Sequence, residues 1–158
     1  MSSSSFAKQG KKSGKKNLRL VIDSNEYIFA LGPAKADASL KLLEKLLETS
    51  ELHTVRIPRT IFEEVKRNLT PQYLREFITF INIFTIIDED FLVPFELGVK
   101  YEQMGLKEAD ALIAAYVEWT GADAMVSENR HFLGHNPNLP FKILNAENCL
   151  KLIQASLQ

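Results

Sequence analysis

The 158-residue chain reads as an α/β protein, a three-layer α/β/α sandwich around a mainly parallel sheet of four to five strands. Three observations carry this reading. Short apolar runs of strand length recur and stop at polar residues; longer stretches with helical spacing of apolar residues lie between them; and each gap leaves room for a crossover helix, as parallel neighbours require. With 46% apolar and 25% charged residues, the chain has material for one core.

Residues 18–22 are the first apolar run, interrupted only by Arg19 and ended by Asp23-Ser24-Asn25. A short helical piece over 26–30 is broken by Gly32-Pro33. Asp37 is expected to cap a helix over 37–49 with Leu40, Leu43, Leu46 and Leu47 inside. The second strand is placed at 52–57. Pro58 follows, Thr60 is read as the cap of a helix over 61–69, and a further helix runs from Pro71 to about residue 81. Residues 83–87 give the third strand, and a helix starting at Phe91 or Pro94 ends near Met104 with Gly105 as its left-handed cap. The next helix, over 107–120, carries Ala111, Leu112, Ala114, Ala115, Val117 and Trp119 on its apolar side, Asp110 in its first turn and Gly121 behind it. Strands at 124–127 and 141–144 and a closing helix over 146–157 complete the pattern.

Charge divides the chain into two parts, a basic tail over 1–17 and a domain over 18–158. The tail carries Lys8, Lys11, Lys12, Lys15 and Lys16 and no acid, leaving 14 basic against 20 acidic residues in the domain, a balance of -6. With almost no apolar surface to bury, the tail is expected to be disordered. A cationic arm can hold phosphate backbones by releasing counterions, and it can equally serve as a solubilising leader. The sole cysteine, Cys149, excludes an internal disulfide and a cysteine-rich zinc site, and reads as a buried filler. No stretch approaches the roughly 20 apolar residues of a membrane span, and no secretory leader is evident, so a cytoplasmic location is expected.

Asp23, Glu64, Asp110 and Asn129 each fall where a strand is expected to end or a helix to begin. In such folds these termini meet in one crevice at the carboxyl edge of the sheet. Carboxylates brought together raise one another's pKa unless a cation intervenes, and an oxygen-only donor set suits magnesium or manganese rather than zinc. These features predict a metal-dependent nuclease. Ser24, Asn25 and Ser127 are expected to support the site by orienting water or phosphate, and Asp123 to add a carboxylate from a distance. Glu63 is the alternative to Glu64, about a third of a turn away on the same helix. Glu108 reads as an exposed first-turn acid. Arg130 and His131 lie close enough in sequence to contact substrate, although a solvated arginine and a hydrogen-bonded histidine are the simpler readings.

The segments Val21-Ile22-Asp23-Ser24-Asn25, Ile57-Pro58-Arg59-Thr60-Ile61-Phe62-Glu63-Glu64-Val65, Ala109-Asp110-Ala111-Leu112-Ile113-Ala114-Ala115 and Met125-Val126-Ser127-Glu128-Asn129-Arg130-His131-Phe132 resemble, in order, the four signature blocks of PIN domains. The resemblance spans about residues 18–145. It implies a magnesium- or manganese-dependent endoribonuclease, often the toxin of a VapC-type pair with an antitoxin protein, and often a homodimer. The implied catalytic and metal-binding positions are Asp23, Glu64, Asp110 and Asn129, the last being Asp in most members. That departure keeps an oxygen ligand and loses a charge. A non-catalytic PIN-like module that binds RNA or protein is the alternative, and an aspartyl-phosphate phosphatase is a weaker one, because the second residue after Asp23 is Asn25 rather than Asp. No Walker loop, dinucleotide fingerprint or nucleophile elbow is present.

Overall fold

Leucine and β-branched residues make β1 (Leu18–Ile22) a central strand, buried at every position except Arg19. The structure, a computed structural model, describes residues 17–129, 132 and 138–157. The basic tail to residue 16, together with Arg130, His131 and His135, lies outside the described residues. The other strands are β2 (His53–Pro58), β3 (Thr85–Asp88), β4 (Ala124–Val126) and β5 (Lys142–Leu144). All neighbours are parallel, in the order β3-β2-β1-β4-β5.

The strand order explains how distant residues meet. The chain steps outward from β1 to β2 to β3, then returns to place β4 on the other side of β1, so the switch point lies between β1 and β4. Ile22 pairs with Val126, which puts the next residues, Asp23 and Ser127, level at the carboxyl edge.

The helices are α1 (Ser24–Leu31), α2 (Asp37–Glu48), α3 (Arg59–Arg67), α4 (Pro71–Phe84), α5 (Phe95–Gln103), α6 (Glu108–Thr120) and α7 (Ala146–Ser156). In the three-layer sandwich α1 packs on α2, α3 and α4, and α7 packs on α2, while α5 and α6 pair with each other. Right-handed crossovers put the outward connections on one face and the returning one on the other. No helix among the described residues is long and apolar enough to cross a membrane.

Several boundaries differ from expectation, each for a local reason. Ala36, in extended backbone, occupies the cap position of α2, and Asp37 is instead a first-turn acid paired with Lys41 at 3.0 Å. Leu42 joins Leu43 and Leu46 in the core, whereas Leu47 is 42% exposed and Leu40 is half-buried. Thr60 does not cap α3. The helix starts at Arg59 directly after Pro58, and the Asp90 carboxylate, from the loop after β3, accepts from the Thr60 N–H (3.2 Å) and hydroxyl. Helix α4 extends to Phe84, where Phe80 and Phe84 make an edge contact at 4.8 Å, so β3 begins only at Thr85. Phe91 belongs to a single 3-10 turn (Asp90–Leu92), and α5 starts after Pro94. Leu112, expected on the inner side of α6, is 51% exposed. Gly121 adopts the left-handed conformation (φ 70°) that reverses the chain from α6 into β4.

Two sets of contacts fix the elements that carry the site. The Tyr27 ring meets Phe77 edge-on at 5.1 Å, and Phe77 contacts Phe62 at 5.6 Å, linking α1 to α3 through α4. Arg56 grips Asp88 through two hydrogen bonds of 2.9 Å, and the Tyr116 hydroxyl donates to the same carboxylate at 2.6 Å. This trio ties β2, β3 and α6 together. Cys149 is buried, and desolvation pushes its thiol up to about 12, in keeping with a filler.

Candidate functional site

Asp23 is the residue around which the site is built. It caps α1 by accepting from the Ser24 N–H at 2.8 Å through Oδ1, and its own N–H donates to the Val126 carbonyl at 2.9 Å. The second oxygen, Oδ2, accepts from the Ser127 hydroxyl at 2.7 Å. A polar residue straight after a buried strand therefore satisfies the helix start and still presents its carboxylate at the sheet edge. Asp23 is 8% exposed and Ser127 fully buried.

Helix α6 runs back antiparallel to β4, so its first turn lies at the same edge, and Asp110 is in that turn. The fourth position follows from the loop after β4. Asn129 donates its N–H to Ser127 Oγ at 3.0 Å, and its side-chain Nδ2 lies 3.5 Å from Asp110 Oδ1, at the outer limit of a hydrogen bond. Glu64 stands half-buried on α3. Its neighbour Glu63 instead pairs with Lys66 at 3.6 Å on the outer side.

Burial raises the Asp23 carboxyl above its ordinary pKa; the hydrogen bonds from Ser127 and Ser24 oppose this, and the negative charges of Glu64 and Asp110 add to the rise. Three carboxylates thus share one electrostatic neighbourhood. Among the described residues none of the three is joined in an ion pair to a lysine or arginine.

The donor chemistry fits a hard divalent cation: two aspartates, a glutamate and a carboxamide oxygen, with no thiolate or imidazole beside them among the described residues. Among the described residues no three Asp, Glu, His or Cys side chains are already closed around a single point. The carboxylates stand at a common edge of the sheet.

The supporting residues separate into two groups. Ser24 and Ser127 both contact Asp23, and Asn25 follows in the first turn of α1, half-buried. Asp123 does not reach the site. It sits before the amino end of β4, where its Oδ2 accepts from the Arg19 N–H at 2.9 Å and its Oδ1 lies 3.7 Å from the Arg19 guanidinium. Four residues along a strand place it roughly 13 Å from the level of Ser127. Glu108 is exposed in the first turn of α6.

Sequence reasoning passed over Glu26, which lies fully buried one helical turn beyond Asp23. The available signal was an acid inside the otherwise apolar run Tyr27-Ile28-Phe29-Ala30-Leu31 that follows it.

No family model matches the chain, and no curated protein matches it. Among solved structures, a chain in the crystal structure of VapBC2 from Rickettsia felis bound to a DNA fragment from their promoter superposes with a TM-score of 0.58. It is 19% identical, over 81% of this chain and 98% of that one. A chain of FitAcB from Neisseria gonorrhoeae gives 0.55 at 15% identity, over 80% and 97% respectively. The likeness establishes the fold. The all-parallel five-stranded sheet between two helical layers is the three-layer sandwich that the sequence pattern predicts, and the fold that the PIN-domain resemblance implies.

Proposed function

We propose that this chain is a magnesium- or manganese-dependent endoribonuclease of the PIN type, the toxin-like half of a VapC-type pair. The observation that carries the reading is the convergence of Asp23, Glu64 and Asp110, distant in sequence, in one electrostatic neighbourhood at the switch point. The fold shared with chains of the VapBC2 and FitAcB complexes supports it and favours an antitoxin-type protein partner. RNA as substrate and a homodimer as the working unit belong to the same proposal.

In this reading Asp23, Glu64 and Asp110 hold the ion, with the Asn129 carboxamide oxygen as a neutral fourth donor. Bound there, the ion supplies polarisation of a phosphodiester oxygen and acidification of a water molecule. Ser127 and the Ser24 N–H keep the Asp23 carboxylate in one orientation, so that little rearrangement is needed when the ion arrives. The clustered carboxylates repel a polyanion in the absence of the ion, which makes catalysis strictly cation-dependent.

The second reading, an RNA- or protein-binding module that does not cut, is favoured by one observation. Asn129 replaces a carboxylate, and its amide nitrogen lies 3.5 Å from Asp110 Oδ1. The two readings part in one assay. Purified protein should cleave single-stranded RNA with magnesium or manganese and stop on chelation, and Asp23→Asn and Asp110→Asn should abolish cutting while the protein stays folded. RNA bound and never cut under these conditions would favour the module, and activity unchanged in both variants would point to a contaminating nuclease.

A further inference from the structure

The two most exposed large apolar side chains among the described residues lie together. Phe91 is 82% exposed and Phe95 80%, and with Leu92 and Leu112 they line an open groove of about 530 Å³ between the Asp90–Leu92 turn, α5 and the start of α6. Glu108 also lines it, four residues before Leu112 and so on the same face of α6, whereas Asp110, two residues from each, falls on a different face. The groove is therefore separate from the candidate cation site. A contiguous apolar patch of this kind, rimmed by polar residues, marks an interaction surface.

The rim identifies the kind of occupant. Glu96, Glu102 and Glu108 border the groove, all exposed, and among the described residues none of them pairs with a lysine or arginine. A second copy seated here across a twofold axis would set these acids against themselves, because such a contact uses the same patch on both sides. Unpaired acids around an apolar floor suit a cationic segment that carries an aromatic ring. The chain has one. Residues 1–16, outside the described residues, contain Phe6, five lysines at 8, 11, 12, 15 and 16, and no acid.

That segment also has the reach. It joins the fold at Asn17, whose side chain meets Thr54 at 3.1 Å at the amino end of β1. From there the path to the groove covers the length of β1, about 17 Å for five residues, and the thickness of the α5–α6 layer, about 10–12 Å. The eleven steps from Phe6 to Asn17 extend to about 36 Å.

We propose that this groove is the docking site of the chain's own basic tail, with the Phe6 ring on the apolar floor and the lysines against Glu96, Glu102 and Glu108. Docking covers the exposed phenylalanines and offsets part of the domain's acid excess. The covalent tether keeps the tail at a high local concentration, so contacts that are individually weak suffice. The docked tail needs neither metal ion nor RNA.

The test follows the tail in the full chain by NMR. Cys149 is buried, so a nitroxide attached at Ser4→Cys marks the tail alone. At about 0.1 M salt the amide signals of Phe91, Phe95, Gly98 and Leu112 should lose most of their intensity to the nitroxide, while those of Ile143 on β5 and Ile153 on α7 keep theirs. The groove signals should recover at about 1 M salt, where charges are screened beyond roughly 3 Å. They should recover as well when Phe6→Ser is added, and when Glu96→Gln, Glu102→Gln and Glu108→Gln are combined.

Broadening spread evenly over the surface, or centred on β5 and α7, overturns the proposal. Broadening of the groove that persists in Phe6→Ser or at high salt overturns it too. Mixing nitroxide-labelled protein with isotope-labelled protein that lacks the nitroxide separates the other occupants. Groove signals broadened in that mixture mean that the tail of another copy sits there, and groove signals that shift on dilution but ignore the nitroxide mean that a second copy covers the face. Either result overturns docking by the chain's own tail.

Discussion

The Ser127 hydroxyl donates to Asp23 Oδ2 at 2.7 Å, joining residues 104 positions apart at the ends of two adjacent strands. The pairing of Ile22 with Val126 makes this bond a direct result of register, and full burial of Ser127 shields it from water. Ser127→Ala should leave the fold intact and free the Asp23 carboxylate to rotate. The manganese concentration needed for half-maximal RNA cleavage should rise about ten- to a hundredfold, and Ser127→Thr should restore it. Metal titration of the cleavage rate for the three proteins checks this.

Glu63 and Glu64 are adjacent and chemically alike, yet α3 sends them different ways. Glu63 pairs with Lys66, while the Glu64 charge is felt at Asp23. Glu64→Gln should lower metal-dependent cleavage by at least about tenfold. Glu63→Gln loses only an exposed ion pair of a type that contributes about 0.5 kcal/mol, so its activity should match the wild type. Paired cleavage assays at a fixed manganese concentration distinguish the two.

At position 129 the amide can be exchanged for the acid. Asn129→Asp should tighten manganese binding by adding a charged oxygen ligand, and it should lower the melting temperature in chelator because a further carboxylate joins Asp23, Glu64 and Asp110. Manganese should then raise the melting temperature of the variant more than that of the wild type. Thermal melts with and without the ion report both changes.

Asp88 ties β2, β3 and α6 together. Burial raises its pKa, but the hydrogen bonds from Arg56 and Tyr116 and the Arg56 charge outweigh that and bring it below the ordinary 3.8. A carboxyl lowered on folding contributes stability that is fully present above its unfolded pKa and is lost as pH falls through the folded one. The Asp88 contribution should therefore hold at pH 5 and above and fade below about 3.8. Asp88→Ala should cost about 2–3 kcal/mol at pH 7, since it strands both Arg56 and the Tyr116 hydroxyl. The gap between variant and wild type should narrow in acid, as urea melts across pH would show.

Much of this arrangement was legible in the residues because it follows from local rules. An apolar run that halts at Asp23 marks both a strand end and a helix cap, and Gly121 marks the turn that returns α6 to β4. Other features depend on contacts that sequence does not display. Asp123 precedes β4, which in a parallel sheet puts it at the amino edge, opposite the site, and the bond with Arg19 holds it there. Thr60 looked like a cap because caps are usually local, whereas Asp90 serves α3 from 30 residues away. Glu26 reads in the sequence only as the start of a short helical piece, and its burial, with Ser39 of α2 against it, comes from packing. The residues 83–84 suit a strand or a helix equally, and the Phe80–Phe84 contact decides for the helix.

The central claim is that Asp23, Glu64 and Asp110 form one cation site, and manganese titration followed by electron paramagnetic resonance tests it without any assumption about substrate. Wild-type protein should bind manganese, with magnesium competing, and Asp23→Asn and Asp110→Asn should each lose that binding while keeping the wild-type circular dichroism spectrum. Binding of equal affinity in wild type and both variants, or none in the wild type, would contradict the account.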